Sequence, residues 1–305
     1  MRLAMVTPLD PCATGVAEYS LDLLPYLAQI AQTEIHVYSD NLCQPGEGWI
    51  WHSASVFEAE ASRYDLIIYQ MGNSPAHDFM APYLFRYPGL VVLHDLCLFH
   101  FYARQVSTGH ISAYFRAFAF AHGVEGLLLA RRCLQGEIVP EYPRFLLSEW
   151  LASRSLGIIV HSRHAGDMLR SRCPWANIAI APMPIPLPPR FDPLQARESL
   201  LLPEGAYLIL VFGILNESKN PLAILDAFQM LLAEGVPALL VFIGLENSSF
   251  RLKPEVERRD YNLLCSAWGL YPIRHFFNVG LQRRMWPSTC VHYTGEKPLR
   301  PLCVY

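Results

Sequence analysis

Six short aliphatic runs, separated by stretches of helical periodicity, constrain the fold of this chain more than any other feature. Residues 2–7, 34–39, 64–70, 89–94, 156–161 and 177–181 each read as a strand. These runs are continuously apolar rather than alternating, the pattern of strands buried on both faces of a parallel sheet. Between the first two runs, Leu21, Leu23, Leu24, Leu27 and Ile30 recur at helical spacing and predict a helix over residues 16–32, with Pro25 as a kink. From Leu98 to Trp150 the pattern is again helical and dense in aromatics. Strand–helix alternation of this kind specifies an α/β fold, a doubly wound, Rossmann-like N-terminal domain over residues 1–183.

Prolines at 182, 184, 186, 188, 189 and 193 then exclude helix and central strand, so residues 184–200 are expected to be a stiff connector and domain start. The alternation resumes with strands at 207–213 and 238–244 and helices at 221–232 and 255–268. This is the opening of a second Rossmann-like domain over residues 201–265, incomplete beside the usual half-dozen strands. In residues 266–305 the pattern stops. This stretch has five basic residues against one acidic residue, Glu296, and carries +4 where the remainder carries −7. It reads either as an irregular basic tail or as a frame-shifted or truncated end, and the second reading is preferred.

Composition narrows the function. Of the 305 residues, 52% are hydrophobic and 17% charged, enough apolar surface for a sizeable core. The net charge of −3 argues against a protein held to nucleic acid by phosphate contacts. No apolar run approaches the ~18 residues of a membrane span, and no secretory segment is legible at the start, so a cytoplasmic protein is expected. The eight cysteines form no C-x-x-C pair and read as scattered thiols of a reducing compartment.

Ligands of such domains bind at the carboxyl edge of the sheet, so the loops after the strands hold the candidate site residues. Gly15 follows the first strand and opens a helix, where free N–H groups favour an anion; an ordinary strand–helix turn is the simpler alternative. G-x-G-x-x-G is absent, which discounts a dehydrogenase, and no P-loop motif occurs. His94 and Asp95 close the fourth strand, where a histidine can donate a hydrogen bond, act as an acid or base tuned by its carboxylate neighbour, or serve structure alone. Ser162 is placed as a helix N-cap at the end of the fifth strand. His161 and His164 lack cysteine or carboxylate neighbours, and no metal site is expected. In the second domain, Asn216 and Lys219 lie in a loop before a helix with Pro221 in its first turn. A lysine there suits a diphosphate, or is simply solvated.

In order along the chain, 15–20 (Gly-Val-Ala-Glu-Tyr-Ser), 91–95 (Val-Val-Leu-His-Asp), 157–162 (Gly-Ile-Ile-Val-His-Ser) and the loop from Phe212-Gly213 through Lys219, with Ala227-Phe228 beyond, resemble family 4 glycosyltransferases of the GT-B fold. The resemblance spans roughly residues 1–265. It implies retaining transfer of a sugar from a UDP- or GDP-linked donor, in glycan or polysaccharide biosynthesis, without an obligatory metal or other cofactor. It further implies that Gly15 approaches the donor phosphates, that His94 lies at the reacting centre, that Ser162 sits at the cleft and that Lys219 neutralises the diphosphate, with Asp95 and Asn216 in support. The acceptor is a sugar or a lipid-linked molecule, and the aromatic stretch 98–120 is compatible with peripheral membrane contact. Three features depart from the family. Ile214 and Leu215 stand where many members carry Arg, Asn220 replaces a glycine, and the pair of glutamates seven residues apart is missing. A non-catalytic truncated relative is the alternative reading, with another nucleotide-binding α/β protein as a third.

Overall fold

In a computed structural model of the chain, the described residues are 1–9, 14–30, 32–43, 46–139, 144–185, 187, 190, 192–200, 202, 204–213, 215–243 and 252–258. The expectations for residues 10–13 and for the 266–305 tail lie outside them. The chain divides into two compact units at Pro186–Leu187.

The first unit holds seven strands: β1 (Arg2–Val6), β2 (Glu34–Ser39), β3 (Ile50–Ser53), β4 (Leu66–Met71), β5 (Leu90–Leu93), β6 (Gly157–Val160) and β7 (Ile178–Ile180). All pair in parallel, in the order β3-β2-β1-β4-β5-β6-β7. This is the α/β, doubly wound architecture that the apolar runs specify. The seventh strand is β3, which sequence periodicity misses because its four residues Ile-Trp-His-Ser lie half-buried at the sheet edge.

The helices are α1 (Gly15–Ala28), α2 (Phe57–Glu60), α3 (Ala81–Leu84), α4 (Phe99–Ser107), α5 (Ile111–Leu134), α6 (Glu149–Arg154) and α7 (Arg163–Arg172). α1 is shorter than predicted and passes through Pro25 without ending there. Alternate residues of β1 feed two cores. Leu3 and Met5 pack with Leu24 of α1, Val37 and Ile68, while Ala4 and Val6 pack with Phe57, Tyr69, Phe101 and Phe118 on the other face. Among the described residues no helix is long and apolar enough to cross a membrane.

In the second unit, α8 (Pro193–Ser199) starts at the last of the linker prolines, with Asp192 as its cap. There β8 (Tyr207–Phe212) and β9 (Ala238–Ile243) pair in parallel, with α9 (Pro221–Ala233) between them and α10 (Leu252–Arg258) after. Leu215, Leu225, Phe228, Leu240, Phe242 and Leu252 form its core.

Candidate functional site

The strand order reverses between β1 and β4, and in open parallel sheets ligands settle at the carboxyl ends of the strands flanking such a switch point. Just beyond β1, Thr7 Oγ1 and Ser20 Oγ lie 2.6 Å apart, which ties the end of the strand to α1. Thr14 caps that helix, its Oγ1 accepting from Ala17 N at 3.1 Å. Gly15 is the first helical residue, and among the described residues a Cβ built on it meets nothing within 4 Å. Neither crowding nor backbone strain accounts for glycine there. Its missing side chain leaves space at a helix N-terminus, where the partial positive charge favours anions.

On the far side of the switch point three rings meet. Tyr19 from α1 sets its ring edge-on to His94 at 4.6 Å and lies 5.2 Å from His161, while the two imidazoles are 5.0 Å apart. His94 follows β5 and His161 follows β6, so one histidine comes from each of two adjacent strand ends. His94 Nε2 donates to Gln70 Oε1 at 2.9 Å, which fixes the neutral tautomer and leaves Nδ1 as an acceptor. Burial, with smaller contributions from His161 and His77, pulls the His94 pKa down to about 3. His161 Nδ1 donates to Ala181 O at 2.9 Å, and its buried Nε2 has no hydrogen-bond partner among the described residues.

Asp95 does not tune His94, contrary to one expectation from the sequence. Its Oδ2 accepts from Asn73 N at 2.7 Å and so pins the loop after β4. Within that loop an ideal Cβ on Gly72 would lie 2.7 Å from His77 Cε1 and 3.1 Å from Asp95 Oδ2. Glycine is therefore required for the loop to close on these side chains. His77 is 1% exposed, its Nδ1 bonded at Ser74 and its Nε2 buried without a partner among the described residues. Ser162 is an N-cap as expected, its Oγ accepting from Ala165 N at 3.1 Å at the start of α7.

In the second unit, β8 leads into Gly213 at φ 111°, a conformation open chiefly to glycine. The chain then forms a 3₁₀ turn over Glu217–Lys219, with Asn216 O accepting from Lys219 N at 3.2 Å. The Lys219 stem crosses Gly213, its Cε 3.9 Å from where a Cβ would stand. Lys219 is exposed, and among the described residues no carboxylate pairs with it. Asn220 is left-handed at φ 48° and ψ 50°. Asn tolerates that region best after Gly. Ile214 lies outside the described residues, and Leu215 is buried in the unit's core.

The structure thus gathers Gly15, His94, Asp95 and Ser162 at the carboxyl edge of one sheet, and Asn216 and Lys219 on one loop of the second unit. Periodicity passes over Tyr19, Gln70 and His77, and marks His161 only as an improbable metal ligand. Gln70 carried a signal, a polar residue ending an aliphatic run that turns out to be wholly buried.

No family model and no curated protein matches the chain. Among solved structures, it is similar to WaaG, a glycosyltransferase involved in lipopolysaccharide biosynthesis, at 11% identity over 90% of this chain and 71% of that one, with a TM-score of 0.46. It is also similar to an alpha-glucosyltransferase in complex with UDP-glucose and DNA containing an abasic site (13% identity, 85% and 60% coverage, TM-score 0.40). A third is the E. coli trehalose-6-phosphate structure bound with UDP-2-fluoro glucose (14% identity, 89% and 74% coverage, TM-score 0.41).

Proposed function

We propose that this chain is a glycosyltransferase of the GT-B, family 4 type, which moves a sugar from a UDP- or GDP-linked donor to a hydroxyl acceptor with retention. The observation that carries the reading is the convergence, beside the switch point of one parallel sheet, of an uncrowded helix N-terminus with a partly buried, neutral histidine. The ordered motifs of the sequence support it. In the transfer, the anomeric C–O bond to the diphosphate breaks and a C–O bond to the acceptor oxygen forms. The acceptor's proton leaves with the diphosphate oxygen. Negative charge grows on that diphosphate, so a fixed cation and a helix N-terminus stabilise the transition state more than the ground state. We assign the cation to Lys219 and the helix end to Gly15.

His94, held neutral, is a hydrogen-bonding group for the transferred sugar rather than an imidazolium acid. Its Nδ1 accepts from a sugar hydroxyl while Nε2 stays on Gln70. Ser162 caps α7 and offers its hydroxyl proton to the same ligand. Asp95 and Asn216 act by holding their loops. The setting is cytoplasmic glycan or polysaccharide synthesis.

Release of UDP or GDP from a panel of nucleotide-sugars tests this directly. The wild type should turn over one of them, and His94→Ala should lose that turnover while keeping its melting temperature within a few degrees. A wild type that releases nothing from any donor, while still binding UDP or GDP, would be the folded, non-catalytic relative.

A further inference from the structure

A cavity of about 300 Å³ opens in the first unit between the 3₁₀ segment Pro75–Met80 with α3 on one side and α4 with the start of α5 on the other. Apolar side chains such as Ala81, Phe85, Phe101 and Ala113 line it together with the polar Asp78, Gln105, Thr108 and His110. The cavity opens to solvent at the surface of the unit rather than being enclosed in its interior. Apolar walls with a few polar groups are what a small-molecule pocket presents, and 300 Å³ is at the lower end of the range for such pockets. Small residues keep it open, since Ala81 and Ala113 stand where larger side chains would fill it.

The cavity is hydrogen-bonded to the loop that borders His94. Asp78 holds Arg104 in a two-pronged pair, Oδ2 to Nε at 2.8 Å and Oδ1 to Nη2 at 2.9 Å. Arg104 Nη2 also donates to Asn73 O at 3.0 Å, and Phe101 N donates to Asn73 Oδ1 at 2.9 Å. Asn73 N in turn donates to Asp95 Oδ2 at 2.7 Å, one residue from His94. Two cavity walls and the edge of the candidate site are therefore one fixed unit.

We infer that this cavity takes the apolar aglycone of the acceptor, an alkyl or aromatic group attached to a hydroxyl-bearing head. At the ~30 Å³ that a water molecule occupies in the liquid, the volume holds about ten heavy atoms, an octyl chain or a fused ring pair. The inference rests on the glycosyl-transfer reading and adds the class of acceptor. An apolar wall gains by removing such a chain from water, whereas a bare sugar gains nothing from it.

The test is calorimetric titration of the whole chain with octyl glucoside below its micellar concentration, and with methyl glucoside. Octyl glucoside should bind at least tenfold more tightly, and Ala113→Leu should remove that preference. Ala81→Leu, on the opposite wall, should do the same and replaces Ala113→Leu if that variant fails to fold. Equal affinity for the two glucosides, or an octyl preference that survives in a folded filling variant, overturns the inference. UDP titrated separately keeps the two readings apart. UDP binding without octyl preference defeats the cavity alone, and octyl preference without UDP or GDP binding defeats the transferase reading while the cavity's ligand class stands.

Discussion

At the residue scale, the candidate site turns on a histidine kept neutral by desolvation. In the folded chain His94 takes up its proton only near pH 3, whereas unfolded it does so near ~6.5. Between those values the unfolded state binds more protons, so stability rises with pH and is lost as pH falls below about 6.5. From pH 7 to pH 5 this one residue costs about 2 kcal/mol. His52, His77 and His122 are shifted the same way by burial and add to the loss. Urea midpoints at the two pH values should therefore show a smaller drop for His94→Gln than for the wild type, by roughly that 2 kcal/mol. A drop of the same size in both would contradict the partly buried, neutral state. Gly72 gives a steric prediction. Gly72→Ala places a methyl 2.7 Å from His77 Cε1 and should cost about 1–3 kcal/mol in the same measurement. The sequence marks His94 by its position after a strand, but not its partners. Tyr19, Gln70 and His161 come from three separate elements, and only the pairing of β4, β5 and β6 brings them together.

At the scale of the element, caps and turns were legible because their chemistry is local. Ser162 reads as an N-cap from the sequence and is one in the structure. Ser162→Ala should lower stability by about 1 kcal/mol, and Ser162→Asp should restore it, since Asp caps as well as Ser. If the hydroxyl also meets the donor phosphates, Ser162→Asp should weaken UDP or GDP binding even as it restores the melting temperature. Asn220 is the converse case, a non-glycine residue in a left-handed turn conformation that the sequence does not announce. Its left-handed conformation predicts that Asn220→Gly is nearly neutral, whereas Asn220→Val costs about 1–2 kcal/mol by urea denaturation. Equal stability of the Gly and Val variants would mean that the turn has another conformation. β3 escaped the sequence reading for a physical reason: a four-residue edge strand with half-buried side chains has no continuous apolar run.

At the scale of the whole molecule, the α/β class followed from strand composition alone, because strands buried on both faces can only be covered by helices on both sides. The strand order could not be read the same way. The reversal between β1 and β4 is a long-range pairing choice, and it is this choice that sets the loops bearing Gly15 and Gly72 beside one another at the switch point. The second unit, as described, is a parallel strand pair with its helices and a small core, and it contributes Lys219 on an exposed turn. Its proposed part in glycosyl transfer is chemical: a cation for a diphosphate.

The most direct measurement is therefore calorimetric titration of the intact chain with UDP and with GDP, repeated on Lys219→Ala. Saturable binding of one of the two is expected, weakened about tenfold or more by loss of a charged contact in the variant. No binding of either nucleotide by the wild type, or binding that Lys219→Ala leaves unchanged, would contradict the proposed function.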